Sequence, residues 1–190
     1  MFPRTRALLL CAALLLCSRE PAIAATARQT AVPLEIGGAR AVVLYFIASD
    51  CPISNRTLPE MLRVEHEFAS QGVRFFFVYP NTTETPATIR GHRNAYGIGS
   101  NTLTDPDQAL ARLTAANTTP EAALLIAHGG TLKPVYVGRI DDRYLSIGTE
   151  RPVPTRHDLE SAISALLAGH AVPPPGGPAV GCAFMNLPMK

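Results

Sequence analysis

The sequence predicts an α/β fold in which a mixed central sheet carries helices on both faces. Three observations lead there. Residues 41–49 (AVVLYFIAS) and 72–80 (GVRFFFVYP) are continuous apolar runs rich in β-formers, the pattern of strands buried on both faces. Helical spacing of apolar residues follows each run. Residues 121–138 (EAALLIAHGGTLKPVYVG) then read as two strands about a Gly129-Gly130 turn, which adds an antiparallel pair to an alternating pattern.

The elements follow in order. After the first strand Leu58, Met61, Leu62 and Phe68 recur at helical spacing, and Thr57-Leu58-Pro59-Glu60 resembles a capping box with a proline near the helix start. In residues 85–97 Thr85 can cap a helix and Pro86 can occupy its first turn. Residues 105–116 (DPDQALARLTAA) read as a short helix with a similar opening. A last helix in residues 155–170 puts Leu159, Ile163, Leu166 and Leu167 on one face, with Gly169 where a helix C-terminus favours glycine. Between the hairpin and this helix, Asp141, Asp142 and Arg143 are expected in a solvated turn of weak local ion pairs, with a cleft lining as the alternative.

The two ends differ from this domain. Residues 1–24 have a basic start (Arg4, Arg6), the apolar run ALLLCAALLLC and a small-residue AIA site, which together predict a cleaved signal peptide. Without Arg4, Arg6, Arg19 and Glu20 the 17 basic and 15 acidic residues become 14 and 14. The mature chain is then neutral, with no electrostatic case for nucleic acid and no stable membrane span. Cys11 and Cys17 leave with the signal. Cys51 and Cys182 remain, in a chain expected to be periplasmic or secreted, where disulfides persist. Residues 25–170 form the predicted domain. Residues 171–190 begin as a Pro/Gly linker (VPPPGGP) and end in an apolar tail expected to lie back on the domain with Cys182.

Three local features carry a family resemblance over roughly residues 31–169. Cys51-Pro52 follows the central strand and opens a helix, Pro59 lies eight residues after Cys51, and Thr119-Pro120 stands just before a strand. In this order they resemble the thioredoxin-like superfamily, in particular exported redoxin domains of the AhpC/TSA-like kind. The resemblance implies a three-layer sandwich with Cys51 at the reactive corner and a cis-proline at Pro120 facing it. It also implies that the backbone of Thr119 pairs with an extended substrate. The chain departs from the family at several places. Ser54 stands where a paired motif has its second cysteine, and Pro52 and Ser54 are candidate substrate-contacting residues. Ala48 and Leu44 stand where peroxiredoxins carry a hydroxyl residue and a proline, and Asp50 replaces the usual tryptophan.

A helix N-terminus stabilises a thiolate at Cys51, whereas a nearby Asp50 opposes it. Ser54 and Asn55 offer donors near the sulfur. Three uses of the cysteines stay open. Cys51 is a catalytic thiol acting on protein thiols and disulfides, or on small peroxides, with Cys182 as its resolving partner. The two form a fixed disulfide, which the chain-entropy model values at about 4 to 5 kcal/mol. Or Cys51 helps to bind copper. The leading expectation is a thiol–disulfide oxidoreductase that needs neither cofactor nor metal.

Overall fold

The computed structural model describes residue 34 and residues 36–99, 101–128 and 131–185. The expected signal peptide and the Gly129-Gly130 turn lie outside the described residues. The elements in chain order are β1 (Ala41–Phe46), α1 (Pro52–Phe68), β2 (Val73–Tyr79), α2 (Pro86–Tyr96), β3 (Thr102–Thr104), α3 (Ala109–Thr114), β4 (Thr118–Thr119), β5 (Glu121–His128), β6 (Thr131–Gly138), β7 (Tyr144–Ser146), β8 (Thr149–Glu150), α4 (Asp158–Leu167) and β9 (Cys182–Ala183).

Five strands form one mixed sheet in the order β3-β2-β1-β5-β6. The β3, β2 and β1 strands run parallel, β5 pairs antiparallel with β1, and β6 pairs antiparallel with β5. Alternation along β1 sends Val43 and Tyr45 to one face and Val42, Leu44 and Phe46 to the other. On the first face Leu58, Met61, Val64 and Phe68 of α1 and Leu159, Ala162 and Ile163 of α4 complete a core, joined by Ile89 of α2. On the second face Leu110 and Ala111 of α3 and Phe184 of the tail close the layer. The fold is the thioredoxin-like three-layer α/β sandwich. Among the described residues no helix is long and apolar enough to cross a membrane.

Several local expectations are corrected. The capping box at Thr57 does not form. The helix already begins at Pro52, so the Thr57 hydroxyl donates inside it to the Ile53 carbonyl at 2.8 Å, and Pro59 is an interior residue. The third helix is shorter than residues 105–116. Asp105 lies outside it and accepts the N–H groups of Leu110 (3.2 Å) and Ala111 (3.0 Å), and Gln108 turns the chain in a left-handed conformation. β6 holds Pro134 at a bulge: Leu124 pairs with Tyr136 and Leu125 with Pro134, leaving Val135 extra.

The charged segment after β6 is not a solvated turn. Asp141 and Asp142 are buried. Asp142 accepts the N–H and hydroxyl of Thr155, both at 2.6 Å, and the Arg156 N–H at 3.0 Å, with Arg151 beside it at 3.4 Å. Burial opposes its charge. The Thr155 hydroxyl, the two N–H groups and the Arg151 guanidinium outweigh burial and hold the carboxyl down at about 2. Asp142 thus pins the chain entering α4.

The segment after α4 has no regular structure until β9, yet it packs closely. A side-chain carbon on Gly138 would lie 2.6 Å from Pro175, and Gly177 lies against the Arg139 guanidinium. Beyond Cys182, Phe184 is buried with its ring 5.6 Å from that of Phe46. Asn81 accepts the Met185 N–H at 3.0 Å, and Gln108 donates to the Met185 carbonyl at 2.7 Å.

Two outcomes follow for stability. The Asp142 value lies below its usual 3.8, so its stabilisation is complete above that pH and is lost as pH falls through about 2. Asp142→Asn is expected to lower the thermal midpoint at pH 7, and the gap to the native chain should narrow toward pH 2 in circular-dichroism melts. Phe184→Ala empties a core position and is expected to cost about 3 to 5 kcal/mol in urea unfolding if the tail unfolds with the domain. A smaller cost would show that the tail releases before the sheet does.

Candidate active site

Cys51 is the residue that caps α1. Its φ of −89° and ψ of 110° are extended, and Pro52 takes the first helical position, where a missing N–H costs nothing. The sulfur therefore stands at the end of the helix where free N–H groups gather. Two side chains anchor the turn around it. Glu84 accepts the Ser49 N–H (2.7 Å) and hydroxyl (2.8 Å). Asn55 donates to the Ser49 carbonyl at 3.0 Å, and its amide oxygen faces His92 Nε2 at 2.8 Å. Because that oxygen only accepts, Nε2 carries the proton and Nδ1 accepts from the Tyr79 hydroxyl at 2.8 Å. Burial holds His92 below its usual range, which keeps the ring neutral.

Ser54 and Asn55 do not serve the sulfur as expected. Ser54 is fully buried and its hydroxyl accepts the Ala48 N–H at 3.4 Å, while Asn55 is committed to Ser49 and His92. Cys51 Sγ instead donates to the Thr119 carbonyl at 3.2 Å. Thr119 and Pro120 are joined by a cis peptide bond and face the cysteine, with Thr119 buried. Glu121 supports this turn by accepting the N–H groups of Asn117 (2.9 Å) and Thr118 (3.3 Å). The supporting residues Glu84, His92 and Glu121 were missed by sequence reasoning. The only available signal was an acidic or imidazole side chain near a predicted strand end, which is common.

The tail completes the site. β9 pairs antiparallel with β4, Thr119 opposite Cys182 and Thr118 opposite Ala183. The Thr119 hydroxyl donates to the Cys182 carbonyl at 3.3 Å, and the Phe184 N–H donates to Asn117 at 3.0 Å. Only glycine fits before the cysteine: a side-chain carbon on Gly181 would overlap the Thr119 carbonyl oxygen and lie 3.0 Å from Pro120. Thr119 thus links the two cysteines, its carbonyl accepting from Cys51 Sγ and its backbone pairing with Cys182. Burial, the hydrogen bond with Cys51, and the charges of Cys51 and Asp50 push the Cys182 thiol up to about 12. Both cysteines are free thiols in this state.

The strand also changes access. A sulfur that meets a substrate directly has to be open, but Cys51 is 1% exposed beside β4 and β9. Cys182 is partly exposed and borders a groove of 480 Å³. Pro52, Ile53, Ile147 and Ala183 give the groove apolar walls, and the Arg56–Glu150 ion pair (2.8 Å) sits at its side. Among the described residues one other group has metal-ligating atoms close together: Glu60, His157 and Glu160. The Arg63 guanidinium already bonds Glu60 at 2.7 Å and also bonds Glu160, so a cation fills that gap.

Two solved structures resemble the chain over most of its length. A hypothetical protein from Sinorhizobium meliloti 1021 is 26% identical, with a TM-score of 0.69 over 82% of this chain and 84% of that one. An uncharacterized conserved protein from Geobacillus kaustophilus is 24% identical, with a TM-score of 0.64 over 80% and 79%. No curated protein matches the sequence significantly. The family model of the AhpC/TSA family matches residues 22–139, more than half of the chain, and this match spans Cys51 and the Thr119-Pro120 turn that faces it. The chain belongs to the AhpC/TSA family.

Proposed function

We propose that the protein is an exported thiol–disulfide oxidoreductase whose redox couple is Cys51 and Cys182, with Cys51 as the reactive thiol and Cys182 as its resolving partner. The observation that carries this reading is Thr119, which accepts from Cys51 Sγ at the N-terminus of α1 and pairs in β4 with Cys182 of β9. A thiolate is the attacking species in disulfide exchange, and a helix N-terminus favours negative charge. Burial, the neighbouring Cys51 and Asp50 raise the Cys182 thiol, which disfavours it as the attacking thiolate.

The net reaction exchanges two electrons. The reduced pair and a substrate disulfide give a Cys51–Cys182 disulfide and two substrate thiols, and the reverse oxidises substrate dithiols. Substrates are protein thiols and disulfides. Thr119, Pro120, Pro52 and Ser54 shape the corner: the Thr119 carbonyl accepts from Cys51, Pro120 sets the cis turn after it, Pro52 opens α1, and Ser54 accepts the Ala48 N–H in the turn before the cysteine. Peroxide reduction is less well supported, because Ala48 supplies no hydroxyl beside Cys51.

The test uses the full chain with Cys11→Ser and Cys17→Ser. Titration after reduction should count two thiols, and after oxidised glutathione none, with the Cys51–Cys182 link found by peptide mass spectrometry. Reduction of insulin disulfides should fall to background in Cys51→Ser. Gly181→Ala, which lifts β9 from Thr119, should slow closure of the bond about tenfold, the equivalent of ~1.4 kcal/mol. A Cys51–Cys182 bond that resists strong reductant would overturn the reading in favour of a fixed structural link. Peroxide consumption that depends on Cys51, without disulfide exchange, would overturn it in favour of a peroxidase.

A further inference from the structure

We propose that Asp141 is a pH-sensitive latch on the strap formed by residues 178–185: protonated, it lets the strap close beside Cys51, and ionised, it loosens the strap. This inference does not depend on the redox couple, because it concerns the strap of the reduced protein alone.

Asp141 and the strap wall one cavity. Thr57 of α1, Pro120 of the cis turn, Asp141 and Tyr144 of the segment after β6, and Pro178 and Val180 of the strap surround a volume of 20 Å³. A space of that size has room for a single water. The strap side of it is apolar, since Pro178 and Val180 carry no polar side-chain atom. With the strap in place Asp141 is 8% exposed. Lifting Pro178 and Val180 removes that wall and lets bulk water reach the carboxylate.

Little in the closed state compensates a charge on Asp141. It accepts the Arg143 N–H at 2.9 Å. The neighbouring guanidiniums are engaged elsewhere: Arg139 and Arg156 on Asp158, Arg151 on Asp142, and Arg143 on Glu150. Glu60 of α1 and Asp142 oppose a charge there, while the Arg143 N–H and His157, just ahead of α4, favour one. His157 is itself shared with Glu60 at 2.8 Å. Tyr144, raised by burial, brings no charge. The strap brings no titratable side chain except Cys182, whose thiol is raised by burial. One more carboxylate acts near the strap: Glu121 holds the N–H groups of Asn117 and Thr118 beside β4.

Burial is the chief cause that raises the Asp141 carboxyl above its usual 3.8 in the closed state. Once hydrated by opening, the same group returns toward that usual value. The closed strap therefore binds the proton more tightly than the open one. Its advantage is complete below pH 3.8 and shrinks as pH rises from there through the closed-state value.

The experiment uses the full chain, kept reduced, and the same chain with Asp141→Asn, whose side chain keeps its shape and cannot ionise. Hydrogen exchange is followed by mass spectrometry across the acid-to-neutral range. The peptides read contain the Phe184 and Met185 N–H groups, which the closed strap holds on Asn117 and Asn81. Comparing the two chains at each pH cancels the intrinsic pH dependence of exchange. The native-to-variant ratio of exchange rates should rise with pH, by about threefold or more at neutrality. A flat ratio overturns the proposal. A falling ratio overturns it too, and would mean that the carboxylate holds the strap down. Glu121→Gln covers the case in which Asp141→Asn does not fold. In that chain the pH dependence of strap exchange, measured against β1 peptides of the same molecule, should survive. Its loss would assign the titration to Glu121 and overturn the latch at Asp141.

Discussion

Two residue pairs of backbone, Thr119 with Cys182 and Thr118 with Ala183, set the relation between the two sulfurs of this protein. Without them Cys51 would stand alone at a helix end. So short a ladder is weak by itself, and its geometry is held from outside. Phe184 enters the core on one side of Cys182, and Gly181 fits against the Thr119 carbonyl on the other. The Pro/Gly segment upstream packs along Gly138 and Arg139. The strap is therefore a packed part of the domain, and its position follows from apolar burial more than from strand pairing.

The ground beneath the sulfur is equally fixed. Glu84 and Asn55 hold Ser49 from two directions, His92 holds Asn55, and Tyr79 holds His92. Each donor in this chain meets one acceptor, so a buried polar network costs little and specifies one arrangement of the turn.

Much of the architecture was legible in the sequence because its signal was burial. The run that became β1 is apolar at every position and the run that became β2 at every position but Arg74, a pattern that a doubly covered strand requires. Thr85 and Pro86 opened their helix as read, since Thr85 accepts the Thr88 N–H at 3.1 Å. What was not legible depended on partners far along the chain. Thr57 looked like a cap, but the helix had begun at Pro52 and its hydroxyl had turned to Ile53. Asp142 looked solvated because its neighbours are charged, whereas its partners are Thr155 and Arg156, thirteen and fourteen residues on. The position of Cys51 at a helix start could be read from Pro52. The cover over it could not, because β4 and β9 are two residues each and carry no periodic pattern.

The bulge at Pro134 has a consequence beyond local geometry. β6 is one border of the main sheet, and borders invite strands from other molecules. Pro134 offers no N–H there, Val135 breaks the repeat of the ladder, and Lys133 beside them adds charge. A proline, a bulge and a charge at one border are the features by which sheets discourage pairing with a strand of another molecule.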